Sequence, residues 1–170
     1  VPSSILLRHG NERFLDEARE AGFGGLIVPD LPGDEAGALP DQARARGLDL
    51  IQLVSPTTPP ERAARIVQAA SGFVYCISVA GTTGVRAQLP AALREQLKWL
   101  RTQTALPLAV GFGISRPEQV RELRGIADGV IVGSAIVRRL EALAGANGEL
   151  EPVVGEIGEL AAAMVTATSS

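Results

Sequence analysis

Two glycine-containing segments late in the sequence have residue types suited to binding a phosphate group. Gly111 and Gly113 end the apolar run "LPLAVGFG", and Gly133 and Ser134 lead into the helical pattern "SAIVRRLEALAG". Free N–H groups at a helix start, together with a hydroxyl group, favour an anion. A missing Cβ also lets a ligand approach the backbone closely. These four residues are therefore predicted to bind phosphate, with the alternative that the glycines serve only tight turns.

The same glycines do not fit a dinucleotide-binding site. Such a site has the pattern G-x-G-x-x-G where the first strand meets its helix. Here Arg116 occupies the third glycine position, and the glycine pair lies late in the chain. The pattern therefore does not support a dinucleotide-binding site.

Composition excludes several other classes of function. The formal net charge is -3 and the arginines are scattered, so nucleic acid and anionic membrane surfaces are not expected partners. No apolar stretch approaches the roughly 20 residues that a membrane-spanning helix needs. The single cysteine, Cys76, excludes an internal disulfide and is expected to be a buried thiol. We therefore predict a cytoplasmic protein.

Five short apolar runs recur along the chain, with helical patterns between them. Each is apolar on both faces, which is typical of parallel strands covered by helices or closed in a barrel. Their spacing predicts five successive βα units in one domain, residues 1–170. Glycine loops after the last two strands favour a (β/α)8 TIM barrel over an open doubly wound sheet. The runs are Gly25–Asp30, Leu48–Pro56, Gly72–Gly81, Leu106–Gly113 and Gly129–Val137.

Several residues indicate where the helices begin and end. Asn11 is a candidate cap for a helix that ends before Gly22, and Gly47 is expected to stop a helix that starts near Glu35. Thr58–Glu61 and Ser115–Glu118 match the capping box with proline in the first turn. A last helix is expected at about residues 152–166.

Four motifs together resemble the tryptophan synthase alpha subunit family. In chain order they are "LIVPDLP", "YCISVAGTTG", "GFGIS" and "VGSAIV", and they span most of the sequence from about Gly10 onward. The resemblance implies a (β/α)8 barrel that cleaves indole-3-glycerol phosphate to indole and glyceraldehyde 3-phosphate without metal or organic cofactor. It also implies an alpha2-beta2 complex with a beta subunit that receives the indole.

The resemblance also implies roles for individual residues. It adds Gly84 to the phosphate-binding set of Gly111, Gly113, Gly133 and Ser134. Tyr75 matches an active-site tyrosine near the reacting ring. Asp30 matches an acidic position close to the subunit contact and the active site, and it is assigned no chemical role. The residues expected to line the indole pocket are Ile27, Val54, Thr83, Phe112 and Ile131.

One part of the family pattern is missing from this sequence. The resemblance implies two carboxylates, one for proton transfer at indole C3 and one that interacts with the indole nitrogen. Both are carried by a Glu-Leu-Gly-x-Pro-x-Ser-Asp-Pro-like segment that does not occur here. We interpret "SSILLRHG" as the end of a third strand and its exit loop, which predicts an incomplete barrel with about five parallel strands. This 170-residue chain is thus expected to be inactive alone.

Two alternatives to the lyase stay open at this point. One is a remnant without catalysis that binds sugar phosphates or modulates the beta subunit. The other is a different phosphate-binding barrel enzyme, which the order of the motifs disfavours. Acidic residues at predicted helix starts, such as Asp34 and Glu61, are interpreted as solvated caps. His9 is interpreted as a surface residue.

Overall fold

The computed structural model describes residues 1–78, 90–111, 113–144 and 150–169. Within these residues, helices and strands alternate along most of the chain. The elements are α1 (Ser3–His9), α2 (Asn11–Glu20), β1 (Gly25–Ile27), α3 (Leu39–Ala45), β2 (Asp49–Val54), α4 (Pro60–Gln68), β3 (Val74–Ile77), α5 (Ala91–Gln103), β4 (Leu108–Gly111), α6 (Pro117–Leu123), β5 (Gly129–Val130), α7 (Ser134–Ala144) and α8 (Leu150–Ser169).

The strands form one parallel sheet in the order β1-β2-β3-β4-β5, so each strand pairs with the next along the chain. Ile27 is paired with Ile51, and Tyr75 is paired with Ala109. Parallel neighbours need a crossover, which the helices between the strands provide. The predicted sheet of about five parallel strands is confirmed, with β1 and β5 at its two edges in the described part of the chain.

One face of the sheet packs against the helices, and we call it the helix face. Alternate strand residues such as Val74 and Cys76 are fully buried there, because successive side chains of a strand point to opposite faces. Two hydrophobic clusters form between this face and the helices. The smaller one joins Leu26 and Leu50 to Leu15 of α2. The larger one, which we call the helix-face cluster, includes Val54, Val74, Cys76, Leu108 and Val110 from the strands and Ala63, Ile66, Leu93, Leu97 and Leu100 from the helices.

Cys76 behaves as an apolar core residue. Its side chain has no exposed surface, and burial raises the pKa of its thiol to about 12. Removing the thiol from water disfavours the charged thiolate, so the group stays neutral near neutral pH. The predicted buried thiol is thus confirmed.

The opposite face of the sheet, which we call the inner face, carries apolar side chains that belong to neither cluster. Leu53, Tyr75 and Ile77 alternate with the buried residues of the helix face and are half-buried. The register places Ile27 and Ala109 on the same face. The inner face is therefore where a ligand can meet side chains that the helices leave uncovered.

The interpretation of "SSILLRHG" as a strand end is wrong, because residues 3–9 form helix α1. Leu6 is the buried side chain of this helix, whereas Ile5 and Leu7 on either side of it are exposed. A strand would expose every second residue, but here one buried position alone packs against the core near α2. Gly10 ends α1 at a φ of 86°, a conformation that glycine adopts more readily than other residues.

The predicted helix starts are displaced by one to four residues. Asn11 is the first residue of α2 and follows the cap Gly10, and α3 begins at Leu39 rather than near Glu35. Thr58 does not cap α4: its hydroxyl accepts the N–H of Ser55 at 3.2 Å, within a turn that precedes the helix. The predicted ends before Gly22 and Gly47 are confirmed.

Among the described residues, no helix combines the length and the apolar composition that a membrane span requires. In the same part of the chain, no three His, Cys, Asp or Glu side chains form a group that could bind a metal ion.

Candidate functional site

Tyr75 and Gly111 lie next to each other on the inner face. They are diagonal neighbours across β3 and β4, because Tyr75 pairs with Ala109, two residues before Gly111. A Cβ on Gly111 would lie 2.1 Å from the Tyr75 hydroxyl oxygen and 2.4 Å from its Cζ. The glycine therefore leaves room for the tyrosine ring. The Tyr75 ring thus explains why residue 111 is a glycine, whereas the sequence predicted a close approach of a phosphate.

Gly113 lies just beyond the carboxyl end of β4 and is exposed. Its φ is 81°, a backbone conformation that residues other than glycine rarely adopt. Its carbonyl oxygen accepts a hydrogen bond from the Gln119 amide nitrogen at 3.2 Å. The glycine thus serves the turn that the sequence left as an alternative, and its exposed backbone also remains suited to a ligand.

Gly133 and Ser134 form the start of α7, beyond the carboxyl end of β5. The Gly133 carbonyl accepts the N–H groups of Ile136 at 2.9 Å and Val137 at 3.1 Å, so this residue begins the first helical turn. Both Gly133 and Ser134 are exposed. A Cβ on Gly133 would meet nothing within 4 Å. Open space at a helix start is compatible with the predicted anion, because the unpaired N–H groups of a first turn point outward.

The two glycine segments lie at the same end of the sheet, where the carboxyl ends of its strands are. The N–H of Ile131 donates to the Val110 carbonyl at 2.7 Å, which continues the pairing of β4 with β5. Because the strands are parallel, their carboxyl ends lie at the same end of the sheet. Gly113 and Gly133 therefore follow the carboxyl ends of two neighbouring strands, β4 and β5. The structure thereby brings together two of the segments that the sequence predicted as one phosphate site.

The residues predicted for the indole pocket are separated by the structure. Ile27 lies on the inner face. Gly129 is on the same face, and so is Ile131, two residues further along the chain. Val54 does not share this face: it is fully buried in the helix-face cluster beside Ala63, which explains its apolar type. We therefore remove Val54 from the pocket. The other predicted site residues, Gly84, Thr83 and Phe112, lie outside the described residues.

Asp30 caps helix α1 from the loop that follows β1. Its carboxylate accepts the Ser3 N–H at 2.8 Å and 3.1 Å and the Ser3 hydroxyl at 2.7 Å. These bonds, first of all the one from the Ser3 hydroxyl, hold the pKa of Asp30 below its usual range. The capping role explains these contacts of Asp30 without a chemical step.

We expect the Asp30→Asn variant to melt at a lower temperature than the wild-type chain near neutral pH. The lowered pKa means that the charged form stabilises the fold above the usual carboxyl range, and this contribution is lost as the pH falls through the folded-state pKa. The difference between the two proteins should therefore shrink at about pH 3. Circular dichroism during heating at both pH values measures it.

Asp41→Asn is the matched control, because Asp41 is exposed and bonds Arg44 within its own helix. It should melt close to the wild type at neutral pH, since such surface pairs contribute little. A difference for Asp30→Asn that stays the same in acid would show that the carboxylate charge is not responsible.

The other acidic candidates and His9 have structural partners. Asp34 and Glu35 both bond to Arg62 of α4, so ion pairing rather than simple solvation explains them. The His9 ring lies 2.6 Å from a Glu17 oxygen and edge-on to Phe14. His9 thus joins α1 to α2 at the surface, as expected for a residue without a catalytic role.

Gln119 is the residue near this site that sequence reasoning missed. Its side-chain oxygen accepts the N–H groups of Ser115 at 2.9 Å and Arg116 at 3.1 Å. The predicted capping box placed this role on Glu118, one residue too early. Pro117 is the first residue of α6, and counting from it would have identified the third helical position as Gln119.

Comparison with known proteins supports the resemblance. The model of the family described as tryptophan synthase alpha chain matches residues 3–165. The alpha chain of Rhodopirellula baltica is 51% identical over 140 residues, which are 82% of this chain and 50% of that protein. The alpha chain of Prochlorococcus marinus is 53% identical over 140 residues, with 82% and 51% covered. This chain thus spans about half the length of these relatives.

Solved structures of tryptophan synthase share the fold. A structure of the Mycobacterium tuberculosis enzyme superposes with a TM-score of 0.81 at 37% identity, covering 96% of this chain and 60% of that chain. A structure of the a2b2 complex from Pyrococcus furiosus has a TM-score of 0.74 at 38% identity, with 81% and 56% covered. The five parallel strands with their helices are thus part of a (β/α)8 barrel fold. The chain belongs to the tryptophan synthase alpha chain family.

Proposed function

We propose that this chain is part of a lyase that cleaves indole-3-glycerol phosphate to indole and glyceraldehyde 3-phosphate. The observation that carries the proposal is that Tyr75 lies on the inner face below the strand edge where Gly113 and Gly133 follow neighbouring strands. This arrangement suits a ligand with an aromatic ring at one end and a phosphate at the other. Family membership supports indole-3-glycerol phosphate as this ligand.

In this proposal the chain binds and orients the substrate. The backbone N–H groups near Gly113, Gly133 and Ser134, with Gly84 by resemblance, bind the phosphate. Tyr75, Ile27 and Ile131 contact the indole ring. Cleavage of the carbon–carbon bond needs protonation at indole C3 and a partner for the indole nitrogen, and both roles fall to the carboxylates that the family carries in another segment. The reaction needs proton transfer and no organic cofactor.

The second candidate function is binding without catalysis, and it too has structural support. The described carboxylates in the loop after β1 already have partners: Asp30 bonds Ser3, and Asp34 bonds Arg62. An acid or base for the reaction would have to leave such a partner. A chain of this sequence would then bind a sugar phosphate, or modulate the beta subunit, without cleaving the substrate.

The partner and location follow from the same proposal. We propose a beta subunit as the protein partner in an alpha2-beta2 complex, because a structure of the Pyrococcus furiosus a2b2 complex is among the similar folds. Residues 1–170 form one partial barrel domain in this proposal. A cytoplasmic location agrees with a single cysteine that is buried and unpaired.

Nuclear magnetic resonance with glycerol 3-phosphate tests the phosphate site. In the 170-residue chain, we expect the amide signals of Gly113, Gly133 and Ser134 to shift together as the ligand is added, because one phosphate contacts both strand ends. Glycerol is the matched control and should shift none of them. Shifts that are absent, or that glycerol reproduces, would contradict a phosphate site at this edge.

A further inference from the structure

Gln119 is a buried polar side chain whose bonds reach back to the end of β4. It lies in the first turn of α6, is 6% exposed, and contacts the segment from Gly113 to Arg116, which we call the β4 loop. A buried amide is costly unless both its donor and its acceptor are paired. The hydrogen bonds of Gln119 therefore help to fix the conformation of the β4 loop.

Both ends of the Gln119 amide are used in the β4 loop. Its oxygen accepts the N–H groups of Ser115 at 2.9 Å and Arg116 at 3.1 Å. Its nitrogen donates to the Gly113 carbonyl at 3.2 Å. One side chain thus connects three residues of the loop, and an isosteric side chain without the amide would release all three.

The bond to the Gly113 carbonyl matters most for the site. A glycine has two broad ranges of φ open to it, and Gly113 adopts the positive one, at 81°. The carbonyl bond to Gln119 favours this conformation, and the next residue, Ile114, is anchored in the helix-face cluster. Gly113 is thereby held through its carbonyl and through the residue that follows it, while Gly113 itself is exposed.

We propose that Gln119 is a positioning residue for the substrate phosphate, acting through Gly113 rather than touching the ligand. Its amide fixes the β4 loop before the ligand arrives, so binding does not have to order the loop. This inference rests on the proposed function, because it assumes that the β4 loop meets a phosphate. A residue that merely caps α6 would stabilise the helix without any preference for a phosphate ligand.

The Gln119→Met variant of the 170-residue chain tests the proposal with two probes. Methionine is close in size and lacks the amide. We expect the affinity for glycerol 3-phosphate to fall about tenfold, the effect of losing one or two net hydrogen bonds. The affinity for indole should stay unchanged, because the ring site near Tyr75 does not involve the loop. Amide hydrogen exchange at Ser115 and Arg116 should become faster.

Two further variants separate this role from general damage to the fold. Glu118→Gln changes the exposed neighbouring side chain and should alter neither affinity nor loop exchange. Gln119→Glu keeps an acceptor oxygen but loses the donor to Gly113, so slow exchange at Ser115 and Arg116 should persist. If Gln119→Met does not fold, Gln119→Glu takes its place: it loses the bond to the Gly113 carbonyl, so its affinity for glycerol 3-phosphate should fall while its affinity for indole is kept, and an unaltered phosphate affinity would overturn the positioning role.

The outcomes distinguish this inference from the proposed function. Equal losses of glycerol 3-phosphate and indole affinity in Gln119→Met would overturn the positioning role, since they indicate a general structural effect. Unaltered loop exchange, or unaltered phosphate affinity, would overturn it as well. If the wild-type chain itself binds no glycerol 3-phosphate, the proposed phosphate site is wrong and the positioning role falls with it.

Discussion

The 170-residue chain, purified alone, is expected to release no indole from indole-3-glycerol phosphate above background. Acid–base groups contribute about 10²–10⁴-fold each to such reactions. The two carboxylates implied by the family belong to a Glu-Leu-Gly-x-Pro-x-Ser-Asp-Pro-like segment that this sequence does not contain. Indole formation measured by absorbance or fluorescence tests this, with glycerol 3-phosphate binding followed separately on the same preparation.

A longer form, in which βα units with that segment precede Val1, provides the positive control. It should release indole, and Tyr75→Phe and Gly113→Val should impair it by different routes. The first changes the surroundings of the ring, whereas the second places a branched side chain at a φ of 81° in the β4 loop. Indole release by the 170-residue chain that Asp30→Asn abolishes would contradict the assignment of the chemistry to the other segment.

Gly111→Ala is expected to destabilise the fold, because the added methyl group collides with the Tyr75 side chain on the inner face. The new Cβ would lie 2.1 Å from the Tyr75 hydroxyl oxygen and 2.6 Å from Cε1, distances that real Cβ atoms do not show. The ring must move or the strands must separate, and overpacking of this kind costs about 1–3 kcal/mol. Urea unfolding of the variant and the wild-type chain measures the loss.

A double-mutant cycle shows whether the tyrosine ring is the cause. Tyr75→Val removes the hydroxyl oxygen and the two ring atoms in conflict, so Gly111→Ala should cost little in that background, with a coupling of about 0.5–3 kcal/mol. Gly129→Ala is the matched control, because its Cβ would lie 3.9 Å from Ala109 in ordinary contact. Equal costs for Gly111→Ala with and without Tyr75 would rule out the ring as the source of strain.

Hydrophobic runs and the positions of glycines were enough to predict the sheet and the ends of α2 and α3. The five runs are separated by helical patterns, and parallel strands need such crossovers, so the order of the elements follows from local sequence. Gly47 ends α3 at a φ of 67° because glycine tolerates this conformation, which is a property of the residue itself. Predictions of this kind need no knowledge of distant neighbours.

Predictions that depended on one residue of register were less accurate. The segment "SSILLRHG" is apolar enough for a strand, yet Leu6 alone is buried and the segment forms α1. Asp30 caps this helix from 27 residues away, and no local pattern reveals that bond. In α6 the capping role moved from Glu118 to Gln119, because Pro117 is the first helical residue.

The sequence by itself determined the family, the parallel order of the strands and the type of residue at each strand end. Only the tertiary structure decided which face each strand residue occupies, since the strands are apolar on both sides and show no alternation to read. Val54 therefore belongs to the helix face although it was expected in the pocket. The glycine at position 111 is explained by the Tyr75 ring on the neighbouring strand, which leaves no room for a side chain there. The space around a residue is set by strand register and packing and not by its sequence neighbours.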